Sequence, residues 1–369
     1  MTTSSGETSS GLGQGASTGA SKRATILDVA AAAGVSRQTV TRAMNAMPGI
    51  RPETRARVQE AARQLGYTPS RFAKGLVQGA RTSVGLAIPD LTNPYYPAFA
   101  SSVVELATQR GWHVVMDDYG HGGATGVESV QHLAPQVDAV IGYLGGAADE
   151  AQAILGRRPL VVLDQPAGSA SGGITFDYDH AAQTALEHLQ ARGCRQLAYI
   201  DRAWAGADLG APGSVRAGGP TPGTDPVRGV MTVRGQAFAR SAAASGMALT
   251  VVVSPESAAA ARQVTRRLLE DRPGTDGIVV FNDVMAAGAL KALADSGRAV
   301  PADCAVIGMD GIPLGELLTP ELTTLALDLR EVGRAAVELL DGLLTGSLDP
   351  GGPGTELLLR HHLVLRQSA

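Results

Sequence analysis

Residues 25–45 read TILDVAAAAGVSRQTVTRAMN, two short helical segments broken at a single glycine. Ile26, Val29, Ala30 and Ala33 fall on one face at helical spacing, Thr25 and Asp28 form a T-x-x-D capping pair, and Gly34 ends the segment. Ser36 is a good N-cap for a second helix that turns Val40, Ala43 and Met44 inward. A third helix is expected from Pro52 and Glu53 through Val58, Ala61, Ala62 and Leu65 to a stop at Gly66. Two helices joined by so short a turn have helix-turn-helix spacing. In that motif the first residues of the second helix enter the major groove, which directs Arg37, Gln38, Thr39 and Arg42 at base edges. Arginine pairs with guanine O6/N7 and glutamine with adenine N6/N7. The alternative for the same residues is a solvated helix face.

Charge separates these readings. The 369 residues carry 31 Lys/Arg and 35 Asp/Glu, a net charge of −4, but the balance is not spread evenly: residues 1–81 are +7 and the remainder −11. A basic head on an acidic body is expected where only the head meets a polyanion. Cys194 and Cys304 have no Cys or His at metal-binding or redox spacing, so both read as buried thiols in a reducing compartment. Residues 1–23 are poor in hydrophobics and read as a disordered tail without the apolar core of a signal peptide. With no apolar run of membrane-spanning length, the expectation is a cytoplasmic protein without a membrane partner.

Beyond residue 82 short apolar strands alternate with helices. Strands are expected at 83–88, 112–116, 138–143, 160–163, 173–176, 196–200, 248–253, 277–281 and 304–309, with helices such as 179–192 and 283–296 between them. Continuous apolar strands alternating with helices predict parallel sheets covered on both faces, and this many strands predict two sheets. Residues 202–230, rich in Gly, Ala and Pro without periodicity, read as a disordered insertion. His361 and His362 read as part of a late strand.

The run Thr25 to Ala30, then Ala33 to Arg42 with Asn45, Thr54-Arg55, Val58, Ala61-Ala62, Leu65-Gly66-Tyr67 and Pro69, closely resembles the opening of the lactose/galactose repressor family. Arg51 departs from it, standing where the family has a serine-type cap for the third helix. The resemblance implies an α/β protein: a three-helix helix-turn-helix head (24–69), a hinge (70–81), and a two-lobed core similar to periplasmic binding proteins (82–369) with parallel sheets. In the hinge, Leu76 matches the leucine the family inserts into the minor groove, where apolar wedges kink the duplex.

The resemblance continues in the core with Asn93-Pro94-Tyr95-Tyr96, Phe281-Asn282-Asp283 and Gly308-Met309-Asp310-Gly311. It implies effector contacts from Asn93, Tyr95, Tyr96, Asp164, Arg234, Asn282 and Asp310, at strand ends where open α/β sheets gather ligands. Each has a structural alternative: Asn282 as a helix cap, Asp310 in a turn, Tyr95 in the core. Phe176-Asp177-Tyr178 departs from the family's Asp-Asn pair. The implied partners are double-stranded operator DNA, a small-molecule effector, foremost a sugar, and a second copy of the chain. The family's tetramers carry a C-terminal leucine heptad that is lacking after Leu365, so a homodimer is expected. No cofactor is implied. An enzyme is the rival for the core, but it shows no phosphate-binding P-loop, no H-E-x-x-H and no histidines at metal spacing. A transport solute-binding protein fits the core and not the head.

Overall fold

The computed structural model describes residues 26–44, 49–65, 82–120, 124–203 and 231–369. The expected tail, the hinge with Leu76, the Thr25 cap, the Gly66 stop and residues 204–230 of the expected insertion lie outside the described residues, while Arg202, expected as the insertion's first residue, ends a strand instead. The chain divides into two units, Met1–Arg81 and Thr82–Ala369.

In the smaller unit, α1 (Ile26–Ala33), α2 (Arg37–Met44) and α3 (Pro52–Gln64) enclose a core of Val29, Ala30, Ala33, Val40, Ala43, Val58, Ala61 and Ala62. Alanines dominate, so the helices pack closely around little volume. Gly34 closes α1 with φ 63°, its N–H donating to Ala31 O at 3.3 Å while Val35 N–H reaches Ala30 O at 3.0 Å. That pair of bonds is the Schellman ending, which needs a residue tolerant of the left-handed region. Ser36 Oγ then accepts from Thr39 N–H at 3.1 Å, so the turn ends one helix and starts the next within three residues. From α3, Arg57 Nε donates to Ala33 O at 3.1 Å and ties down the last turn of α1. Arg51 gives α3 no side-chain cap, and Pro52 in the first turn supplies the pre-set backbone instead.

The larger unit begins with one lobe: β1 (Ser83–Ile88), α4 (Tyr95–Gln109), β2 (His113–Asp118), α5 (Gly126–Leu133), β3 (Ala139–Tyr143), α6 (Ala148–Leu155), β4 (Leu160–Leu163) and β5 (Gly172–Phe176). The chain crosses into a second lobe at Asp177. There it forms α7 (Tyr178–Ala191), β6 (Gln196–Arg202), α8 (Val233–Ala244), β7 (Ala248–Ser254), α9 (Ala258–Asp271), β8 (Gly277–Val280), α10 (Asp283–Asp295), β9 (Ala305–Asp310), α11 (Leu314–Leu317) and β10 (Thr323–Ala326). It returns for α12 (Leu329–Thr345) and β11 (Glu356–Leu359), then crosses again for β12 (His362–Val364). The sheet orders are β11-β5-β4-β3-β1-β2 and β12-β10-β9-β8-β6-β7. All pairings are parallel except β12 on β10.

The nine expected strands are present within one or two residues at their ends. Strands β10 and β11 were not foreseen, being four residues long and too short for periodicity to register, while β12 is the late strand read at His361 and His362. His361 does not lie on a strand: β12 starts at His362, and His361 stands in the third crossover because the chain changes sheets there. Helix α12, capped by Asp328 through Arg330 N–H and Glu331 N–H, packs on α4 and on the first sheet. Among the described residues no helix is long and apolar enough to cross a membrane, and no group of His, Cys, Asp and Glu is placed to hold a metal ion. Both cysteines are free thiols.

Candidate functional site

Two carboxylates, one from each lobe, face a single guanidinium. Asp164 follows β4 and Asp310 ends β9, and they are the two described non-glycine residues with positive φ, 59° and 117°. Such backbone costs ~1–3 kcal/mol per residue and persists where the surroundings enforce it. At Asp310 the enforcing group is Asp283, whose carboxylate accepts from Gly311 N–H and Ile312 N–H, both at 2.9 Å, and from Thr324 Oγ1 at 2.7 Å. Burial pushes Asp283 up to about 7, against the pull of those three donors. Gly308 has to be glycine, because a Cβ there would stand 2.1 Å from Asp283 Oδ1.

Arg234 enters from the first turn of α8. Thr232 caps that helix through Gly235 N–H, and the buried Asp201 at the end of β6 holds Thr232 by its N–H (2.8 Å) and its Oγ1 (2.6 Å). A Cβ at Gly235 would sit 2.2 Å from Asp201 Oδ2, so the glycine lets strand and helix meet. Thus fixed, Arg234 Nη1 donates to Phe281 O at 3.0 Å and Asp310 Oδ1 at 3.3 Å, Nε donates to the Tyr178 hydroxyl at 3.1 Å, and Nη2 stands 4.0 Å from Asp164 Oδ2. The Tyr178 hydroxyl donates onward to Asp164 Oδ1 at 2.6 Å. Burial works against the Arg234 charge, but Tyr178, Asp310 and Asp164 more than offset it and hold the group firmly protonated. Burial raises Asp164 and Asp310, while Arg234 pulls both back toward ionisation.

The first lobe brings phenols. Tyr95 and Tyr143 share a hydroxyl–hydroxyl bond of 2.9 Å, and the Tyr95, Tyr96 and Tyr143 rings meet edge to face at 5.1 to 6.0 Å, with Phe99 behind. The Tyr119 hydroxyl donates to Tyr143 O. Burial pushes Tyr95 and Tyr119 above their ordinary range, so all these phenols keep their protons. Asn93 Oδ1 accepts from Tyr95 N–H at 3.1 Å and starts α4. Asn282 likewise caps α10 through Met285 N–H at 2.8 Å, while its Nδ2 donates to Glu256 Oε1 at 2.8 Å.

Of the residues expected at the site, Tyr95, Tyr96, Asp164, Arg234 and Asp310 converge, and Asn282 lies beside them. Tyr95 is 3% exposed, so the core alternative describes it, and the capping alternative describes Asn282 in part, while Asn93 is turned to the N–H of Tyr95. Sequence reading missed Tyr178, Phe281, Glu256, Arg202 and the positioning residues Asp201 and Asp283. The Phe176-Asp177-Tyr178 departure was the available signal, since it is Tyr178 that bridges Asp164 to Arg234. His361 also went unassigned. It is 2% exposed, its ring lies 5.5 Å from Tyr178 and 6.0 Å from Phe176, and neither ring nitrogen has a hydrogen-bond partner. Burial, with Arg234 adding to it, pushes it down to about 3 and keeps it neutral.

In the smaller unit Arg37, Gln38 and Arg42 are exposed on α2, and Thr39 is half-buried with its hydroxyl 2.9 Å from Ser36 Oγ. The arrangement leaves the long polar side chains outward and uses the short one to start the helix.

Residues 25–70 match the bacterial regulatory proteins of the lacI family and residues 186–369 a periplasmic binding protein-like domain. A ribose operon repressor of Halalkalibacterium halodurans is 32% identical over 86% of this chain and 89% of its own length. Among solved structures, a LacI family transcriptional regulator from Arthrobacter sp. FB24 in complex with lactose is 58% identical, with TM-score 0.70 over 79% of this chain and 100% of that one. The Lac repressor dimer bound to operator and the anti-inducer ONPF is 26% identical, with TM-score 0.65 over 94% and 99%.

Proposed function

The chain belongs to the lacI family of bacterial regulatory proteins, as a DNA-binding transcription regulator and not an enzyme, and from that premise we propose that it is a repressor whose operator affinity is set by a neutral sugar held at Arg234. In this reading Arg37, Gln38, Thr39 and Arg42 read the major groove, Leu76 acts as the minor-groove wedge, and a homodimer spans two half-sites of one operator in the cytoplasm. Tyr96, Asp164, Arg234, Asn282 and Asp310 contact the effector, Tyr95 backs them, and Asn93 sets the turn that presents the tyrosines. The lactose in the Arthrobacter regulator's crystal complex supports a sugar.

One observation carries the neutral charge of the ligand: Arg234 faces two carboxylates, Asp164 and Asp310, one from each lobe. No positive charge is left over for a phosphate or carboxylate, whereas fixed donors and acceptors suit the hydroxyls of a sugar. Because the site joins the lobes, a ligand that re-pairs these groups shifts their relative population, and coupling to DNA is then reciprocal. The test is binding of the full chain to its own upstream DNA at fixed salt, with and without mono- and disaccharides. A change in DNA affinity with one neutral sugar is expected. Response to a phosphorylated or acidic sugar alone would overturn the neutral-ligand reading, and absence of specific DNA binding would overturn the operator reading.

A further inference from the structure

Two guanidiniums lie against the Phe281 ring. The Arg234 guanidinium carbon lies 4.5 Å from the Phe281 ring centroid, and that of Arg202, the last residue of β6, lies 5.0 Å from it. The two cations are therefore no further apart than those distances laid end to end, close enough to line one cleft. The Arg202 end is built from different residues. Arg202 Nη1 donates to Glu256 Oε2 at 3.0 Å, and Glu256 offers its other oxygen to Asn282 Nδ2. Among the described residues Arg202 Nε has no acceptor.

The same group faces the other lobe. Arg202 and Glu256 both act electrostatically on the Tyr96 hydroxyl, and Arg202 acts on Tyr119. The Arg202 and Glu256 side chains keep 36% and 27% of their surface exposed, against 11% for Arg234, so this is the more open end of the cleft. Its one cation is matched by one carboxylate, which again favours a neutral ligand. An Arg–Glu pair offers donors and acceptors side by side, the pattern that adjacent sugar hydroxyls complement.

We propose that Arg202 and Glu256, with Asn282 beside them and Tyr96 opposite, form a second sugar subsite, so that the cleft takes a neutral disaccharide. One ring occupies the Arg234 end and the other the Arg202 end, with Phe281 between them. The inference rests on the sugar-effector reading above, and it adds that discrimination between one ring and two resides in Arg202 and Glu256.

Calorimetric titration of the full chain with lactose, cellobiose, galactose and glucose tests it. One disaccharide is expected to bind at least tenfold more tightly than either of its monosaccharides, roughly the worth of one hydrogen bond to a charged group. Arg202→Ala and, as the milder change, Glu256→Gln are expected to reduce that advantage to about threefold or less, with thermal melts showing both variants folded. A wild-type protein that binds a monosaccharide as tightly as the disaccharide would overturn the second subsite, as would variants that lower mono- and disaccharide affinity by the same factor. If no sugar binds while a different class of small molecule does, the underlying sugar reading falls, a result distinct from failure of the second subsite alone.

Discussion

Strands β1 and β6 hold equivalent places in their sheets, β1 between β2 and β3 and β6 between β7 and β8. What their lobes place at the cleft is not equivalent. The first lobe presents Tyr95, Tyr96, Tyr119 and Tyr143, and Asp164 is the carboxylate it adds at the centre. The second presents Arg202, Arg234, Glu256, Asn282 and Asp310, each tied to an opposite charge, a carbonyl or a helix start. One architecture thus carries two kinds of chemistry: protonated phenols in an apolar wall, and paired charges on a hydrogen-bonded frame. We read the difference as a division of work, in which the second lobe together with Asp164 orients polar ligand groups and the phenol wall of the first gives cover.

The most severe test of that division is Arg234→Ala. It leaves the buried Asp310 without its cation, so a loss of ~3–5 kcal/mol in unfolding free energy is expected, together with loss of the sugar response. Unaltered denaturation and sugar titration curves would refute the division. Tyr178→Phe removes the hydroxyl between Asp164 and Arg234 and is expected to cost roughly 2 kcal/mol, read by denaturant unfolding. If Tyr178→Phe is neutral, the two lobes are not coupled through that bond.

His361, in the third crossover, sharpens the comparison through pH. The folded ring stays neutral down to about 3, while in the unfolded chain it takes up a proton near its ordinary 6.5. The unfolded state therefore binds the extra proton between those values, so His361 lowers wild-type stability as pH falls through that window, and its contribution is complete only above 6.5. His361→Leu removes the loss, and its stability relative to wild type is expected to rise by about 1.4 kcal/mol per pH unit below that point. A stability difference independent of pH would show that the ring is partnered. The smallest effect belongs to the phenol wall: Tyr95→Phe breaks one neutral hydroxyl pair and is expected to cost about 1 kcal/mol by thermal unfolding, with the sugar response kept. A large loss of sugar affinity would move the first lobe from cover to contact.

How much of this was legible in the sequence follows the range of the interactions. The head could be read nearly to the residue, because Gly34, Ser36 and Pro52 set its turns through bonds spanning a few positions. The long buried strands could be read from unbroken apolar runs. Arg234, Asp164 and Asp310 were found by likeness to a family, and nothing local about Asp164 and Asp310 announces their positive φ. Tyr178, Arg202 and Glu256 were missed because they have partners more than 50 residues away, as with Tyr178 and Arg234 or Arg202 and Glu256. Patterns of spacing do not encode such pairs. The short strands β10 and β11 escaped for the related reason that the neighbouring strand, and not their own periodicity, makes them strands.

The three crossings between the lobes bear on how the molecule comes into being. Strand β5 is complete once residue 176 has been made, yet the strand that covers its outer edge, β11, is not available until residues 356–359. A growing chain therefore holds a bare strand edge through the synthesis of the whole second lobe, and bare edges invite pairing with other chains. The second sheet closes later still, with β12 at residues 362–364. A ribosome that stalls between residues 176 and 356 leaves both sheets short of a strand, so residues 356–364 decide whether either sheet is complete.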